Sequence, residues 1–101
     1  MIVQVLKRDG TYQDFNIDKI ADAIYKAAVA CNGSNYDTSM ELAKKVVDLL
    51  EKRNGSNVPT VEQIQDAVEY TLIENRHSQT AKAFILYREK RKSAREKNAL
   101  V

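Results

Sequence analysis

Polar and apolar positions alternate at the start of this chain and then recur at helical spacing to its end. Residues 2–7 (IVQVLK) are rich in β-branched side chains, and residues 11–15 (TYQDF) follow an Asp9-Gly10 pair. That pair is the strongest short hairpin signal, because both central residues of a two-residue turn must tolerate positive φ. The pattern predicts a β-hairpin in which Arg8 opposes Thr11 and Lys7 opposes Tyr12. Strand alternation then puts Val3, Val5, Lys7, Tyr12, Asp14 and Asn16 on one face.

From Ile17 the period becomes helical, with Ile17, Ile20, Ile24, Ala27 or Ala28, and Cys31 on one stripe. Asn16 is a good N-cap, and Phe15 and Ile20 fall at the two positions of a hydrophobic staple. Asn32-Gly33-Ser34 ends this helix, Gly33 supplying a residue that tolerates the left-handed conformation. A second helix is predicted from Asp37, with Thr38 and Glu41 as a capping box and Ala43, Val46, Val47 and Leu50 inward, to Lys52-Arg53-Asn54-Gly55. An extended piece at Asn57-Val58 precedes Pro59, and Thr60 with Gln63 caps a third helix whose inner face is Ile64, Ala67, Val68, Thr71 and Leu72. A fourth helix starts at Ser78 and runs through Ala81, Phe84, Ile85 and Arg88 into a basic tail. A lone hairpin is marginal in water, so it must pack on the helices, capping one end of the bundle.

Composition narrows this picture. The chain has 101 residues, 44% hydrophobic, enough for one compact core. Its net charge of +2 is unevenly spread, because residues 88–97 (REKRKSAREK) carry +4 and the remainder carries −2. One cysteine, Cys31, rules out an internal disulfide; on its apolar stripe it reads as a buried reduced thiol, which places the chain in a reducing cytoplasm. There is no signal peptide pattern and no apolar run long enough to cross a bilayer.

The chemistry-bearing residues are mostly cations. Lys7 and Arg8 end the first strand, and Lys19 sits at the third position of the first helix, where the helix dipole disfavours a cation. Each alone reads as an ordinary solvated charge. Together with the open N–H groups of a helix start they have the composition of a polyphosphate site. Arg88 lies within the apolar stripe of the last helix, either snorkelling or, with Lys90 and Arg91, reaching the same anion. There is no GxxxxGK[ST] or GxGxxG loop. The only histidine, His77, falls in a surface connection, and neither metal-ligand spacing nor a catalytic set is evident.

The order VLKRDG, FNIDKI, PTVEQIQDAVE, AKAFILYREKR resembles the ATP-cone domain over roughly residues 2–92, with residues 93–101 as a basic helix extension or tail. The resemblance implies a mainly α, α+β fold: a four-helix bundle capped by a small three-stranded β-sheet, the third strand near Asn57-Val58. It implies a regulatory domain without an active site of its own, holding ATP or dATP, with Mg2+, between sheet and helices. Carried over motif by motif, Lys7 and Arg8 would grip phosphates, and Asn16 and Lys19 would contribute at the helix start. Val5, Phe15 and Ile20 would line the adenine side, and Ile64 and Gln65 would face the base. Lys90 and Arg91 resemble a phosphate contact from the last helix. Gln13 stands where the family often has an acidic residue, and an amide offers a different donor and acceptor pattern.

Such cones sit mostly at the N-terminus of ribonucleotide reductases, and PTVEQIQDAVE and YREKR look most like the anaerobic ribonucleoside-triphosphate reductase. The implied partners are adenine nucleotides, a catalytic reductase domain or subunit, and a second copy of the chain if assembly is the output. The chain reads as either an excised N-terminal domain or a free-standing regulator. The competing class is a nucleic-acid-binding module that uses the basic C-terminal helix, although no recognition helix is obvious. A pure interaction domain, docking an acidic partner through hairpin and basic helix, is the third reading.

Overall fold

The computed structural model describes residues 2–33 and 35–99; Ser34 and the last two residues of the basic tail lie outside the described residues. Strands β1 (Gln4–Leu6) and β2 (Tyr12–Asp14) form a hairpin, followed by helices α1 (Ile17–Ala30), α2 (Tyr36–Asn54), α3 (Val61–Glu74) and α4 (Ser78–Ala99). The mainly helical α+β fold is the expected one. None of these helices is long and apolar enough to cross a membrane.

The hairpin register differs from the expected one by a single residue. Val5 pairs with Gln13 and Leu6 with Tyr12, and the Lys7 N–H donates to the Thr11 carbonyl at 2.8 Å. The loop is therefore three residues, Arg8-Asp9-Gly10. The Gly10 N–H closes a turn onto the Lys7 carbonyl (3.0 Å), and Gly10 itself takes φ +86. This type of loop needs one left-handed residue rather than two, and Asp9 is freed to cap the turn. The Thr11 hydroxyl and N–H both donate to Asp9 Oδ1, at 2.6 and 3.0 Å, and hold its carboxyl below the ordinary range. A one-residue change of register reverses which residues share a face. Val5 and Lys7 therefore lie with Gln13 and Phe15, while Tyr12 and Asp14 belong to the opposite face.

Among the described residues the sheet has two strands, not three. The expected third strand at Asn57-Val58 is reduced to one parallel bridge between Leu6 and Thr60, with the Leu6 N–H donating to the Pro59 carbonyl at 2.9 Å. Pro59 has no N–H to return, and the N-cap of α3 follows at once, so there is no length for a strand.

Capping decides the helix ends. Asn16 Oδ1 accepts from the Asp18 N–H (2.9 Å), and Thr60 with Gln63 forms the expected reciprocal box. Helix α2 starts one residue before the expected position, because Asn35, not the Thr38 box, accepts from the Thr38 N–H. Helix α1 ends in a Schellman turn: Gly33 N–H reaches the Ala28 carbonyl (2.7 Å) and Asn32 N–H the Val29 carbonyl (3.0 Å). The left-handed residue there is Asn32 (φ +65), not Gly33. Gly33 is needed for space instead, since a Cβ would lie 3.0 Å from the Ala28 carbonyl oxygen. Helix α3 ends in the same way, with Arg76 at φ +65 and His77 N–H on the Leu72 carbonyl.

The core is built by Ile20, Ala21, Ile24 and Ala27 of α1, Leu42, Ala43, Val46 and Leu50 of α2, Ala67, Val68 and Leu72 of α3, and Ala81 and Phe84 of α4. Burying each large aliphatic side chain contributes about 1.5–3 kcal/mol. Val47 and Ile64, expected inward, are half-buried. Cys31 is also only half-buried, its thiol donating to the Gln79 carbonyl at 3.3 Å, because it caps α1 rather than continuing its stripe.

Candidate functional site

The inner face of the hairpin does not lie flat on the bundle. It stands over the start of α1, the start of α3 and the middle of α4, and a cavity of about 370 Å3 opens between them. Ligand sites of this kind have volumes of a few hundred Å3 and are mostly apolar with a few polar groups. The hairpin contributes Val5, Lys7, Arg8, Gln13 and Phe15 to the lining, with Asp14 at the strand end. The turn into α1 adds Asn16, Lys19, Ile20 and Ala23; α3 adds Val61, Ile64, Gln65 and Val68; α4 adds Phe84, Tyr87, Arg88, Arg91 and Arg95.

The corrected register is what puts Gln13 and Phe15 beside Val5 and Lys7. Of the site residues read from sequence, Lys90 is the one that does not line the cavity. It follows Arg88 by two residues, which is about 200° around a helix. Phe84, Tyr87, Arg88, Arg91 and Arg95, in contrast, follow one another at helical spacing. Tyr87 and Arg95 were not read from the sequence, although continuing the apolar stripe of α4 into the basic segment leads to both.

The cations have different tasks. Arg88 is bonded to three carboxylates of α3: Glu62 at 2.6 Å, Glu69 at 2.7 Å and Asp66 at 2.9 Å. Its side chain is only 18% exposed. Burial pulls its pKa down, but the three carboxylates outweigh this and hold it above its ordinary value, so it stays charged. Glu62, Asp66 and Glu69 stand at i, i+4 and i+7, one face of α3, and that spacing was the available signal for the cluster. The snorkelling reading of Arg88 thus gives way to a packed ion cluster whose charge is already matched.

Arg8 is tied to the same cluster. Its guanidinium lies 2.5 Å from Glu62 and donates to Gln65 Oε1 at 3.3 Å. Glu62 is thus shared by the hairpin tip and α4; the Arg88 hydrogen bond first, and then Arg8, hold its carboxyl below the ordinary range against the opposing effect of burial. Arg91 lies over the Tyr87 ring at 5.9 Å and donates to its hydroxyl at 3.3 Å, which lowers the Tyr87 pKa. Lys7, Lys19, Arg91 and Arg95 enter no ion pair among the described residues. The cavity therefore offers an apolar wall of Val5, Phe15, Ile20, Ile64 and Phe84 next to cations not yet matched by carboxylates. That pairing suits a flat apolar ring joined to a polyanion. Among the described residues no cluster of His, Cys, Asp and Glu could hold a metal ion by itself.

A lid of two strands over a four-helix bundle, with cations gathered beneath the lid, defines a class of nucleotide-binding regulatory modules. The ATP cone domain family matches residues 3–93, and the chain belongs to that family. It is 41% identical over 106 residues to the vitamin B12-dependent ribonucleoside-diphosphate reductase of Thermoplasma acidophilum, covering 100% of this chain and 13% of that enzyme. The anaerobic ribonucleoside-triphosphate reductases of Haemophilus influenzae and Escherichia coli are 37% and 36% identical, over 94% and 96% of this chain. The chain spans 13% of the length of each of these curated relatives. Membership of the ATP cone family implies ATP or dATP as an allosteric ligand, and the lining residues fit one.

Proposed function

We propose that this chain is the adenine-nucleotide sensor of a ribonucleotide reductase, which reads ATP against dATP and transmits the result through assembly with its catalytic partner or with a second copy of itself. The observation that carries this reading is the cavity in which the hairpin's Val5, Lys7, Gln13 and Phe15 face Lys19, Ile64 and Arg91. In this reading the base lies against Val5, Phe15, Ile20 and Ile64, with Gln65 at its edge. Lys7, Lys19 and Arg91 take the phosphates, with Mg2+ carried in by the triphosphate. Charge-assisted hydrogen bonds contribute about 1.5–3 kcal/mol each, so two or three of them with base burial support micromolar binding. The motifs resemble the anaerobic triphosphate reductase, while the B12-dependent diphosphate reductases align equally fully; the parent we propose is a ribonucleotide reductase of either kind.

Calorimetric titration with ATP and with dATP, each with magnesium, followed by size-exclusion chromatography of both complexes, tests this. Saturable binding with a different assembly state for each nucleotide is the expected result. Binding of neither would overturn the reading, and salt-sensitive binding to duplex DNA without nucleotide would replace it with the nucleic-acid module.

A further inference from the structure

A groove of about 470 Å3 lies between α1 and α4. Its floor is apolar, made by Ala23, Ala27 and Ala30 of α1 with Ala83 and Phe84 of α4. Its rim is cationic: Lys19, Lys26 and Arg91 line it and enter no ion pair among the described residues. The carboxylate on the rim, Asp22, accepts a hydrogen bond from the Tyr36 hydroxyl at 2.9 Å. An apolar floor between cations suits an amphipathic helix that carries carboxylates. Pairing of this groove with itself across a two-fold axis would set cations against cations, which argues against a symmetric contact here.

The complementary surface is on α3 of the same chain. Asp66, Tyr70, Ile73 and Glu74 stand at i, i+4, i+7 and i+8, one helical face. Tyr70 is 46% and Ile73 53% exposed, unusually open for such large apolar side chains, and Asp66 and Glu74 beside them are exposed as well. Arg53 of α2 lies over the Tyr70 ring at 4.9 Å. Glu62, Asp66 and Glu69 outnumber the two arginines bound to them, Arg8 and Arg88, and Glu74 enters no ion pair among the described residues. The face therefore stays acidic even with Arg53 counted. The lengths agree too: at the helical rise, Asp66 to Glu74 spans about 12 Å and Lys19 to Lys26 about 11 Å.

We propose that the α1–α4 groove is a docking site for the outer face of α3 from a second copy of this chain. Tyr70 and Ile73 lie on the alanine floor, and Asp66 and Glu74 meet the cations of the rim. The contact is heterologous, since each copy offers its groove on one side and its α3 on another, so association runs head to tail and need not stop at two. It gives the self-assembly of the sensor reading a surface, but rests on charge and shape alone and is tested without nucleotide.

The test is sedimentation equilibrium of the wild-type chain from micromolar to millimolar concentration. The expected result is an average mass that rises with concentration and passes that of a dimer. Lys26→Glu spoils the groove and Glu74→Lys spoils the α3 face, and each alone should weaken association about tenfold or more. An equal mixture of the two should associate again, because one variant keeps an intact α3 face and the other an intact groove. Ile73→Ser, which leaves the charge unchanged, should also weaken association. All three side chains are exposed, so the fold should be retained, which circular dichroism checks. A wild type that stays monomeric, association lost in only one of the two charge variants or in neither, or a mixture that stays monomeric would each overturn the proposal. Lys26 lines the groove but not the nucleotide cavity, and Glu74 lines neither, so these outcomes are separate from success or failure of nucleotide binding.

Discussion

Lys7 and Gly33 illustrate how a single side chain, or the lack of one, acts in this molecule. Lys7 lines the cavity from the last pair before the three-residue loop, and it enters no ion pair among the described residues. Lys7→Ala is expected to weaken ATP binding by about tenfold or more while leaving thermal stability nearly unchanged, as read by calorimetry and a melting curve. Gly33→Ala should do the opposite. Its new Cβ would sit 3.0 Å from the Ala28 carbonyl oxygen, so stability should fall by about 1–3 kcal/mol in urea unfolding with nucleotide affinity little changed. Asn32, which carries the positive φ, should accept glycine there at little cost. Both positions lie in a sequence signal that was read correctly in kind and misplaced by one residue. An Asp-Gly pair serves two- and three-residue loops alike, and an Asn-Gly pair does not say which of its members turns left-handed.

At the scale of elements, the link between hairpin, α3 and α4 is the shared carboxylate of Glu62. Arg8 is held by it at the edge of the cavity, so Glu62→Gln, which removes a negative charge beside the proposed phosphate site and loosens Arg8, is expected to raise ATP affinity about two- to fivefold. The same carboxylate gives a pH dependence. Its pKa is lowered in the folded state, so the unfolded chain binds more protons in acid. The stability it supplies is present above the ordinary glutamate range, near pH 4.3, and is lost as pH falls through the lowered value. The urea midpoint of the wild type should therefore drop more steeply between pH 5 and 3 than that of Glu62→Gln. The helices and their caps at Asn16 and Thr60 were legible because capping is local. The α3–α4 ion cluster was not, because Glu62, Asp66 and Glu69 are separated from Arg88 by a turn and their pairing depends on how the two helices dock. The third strand was mistaken for the same reason: Asn57-Val58 has extended character, but whether it pairs depends on the room left before Thr60.

For the whole molecule, the core and the site share Ile20, Val68 and Phe84, but most of the core, Leu72 included, does not line the cavity, and this largely separates their energetics. Leu72 is fully buried in the bundle, and Leu72→Ala should cost about 2–5 kcal/mol. ATP at 100 times its dissociation constant should return about 2.7 kcal/mol to that variant, because the cavity it fills lies under the lid and not in the core. A melting curve with and without nucleotide reads both effects. The hairpin packs on the bundle through Ile2 and Phe15 and is held by the Arg8 contacts; among the described residues, one backbone hydrogen bond ties it to the segment entering α3, from Leu6 to Pro59. That single stitch gives the protein two separate clocks. The Leu6 amide should exchange its hydrogen for deuterium at the rate at which the lid lifts, and the amides of α2 should exchange only when the bundle itself comes apart. A nucleotide seated beneath the lid would slow the first by holding the hairpin down, so one amide would report occupancy of the site in real time.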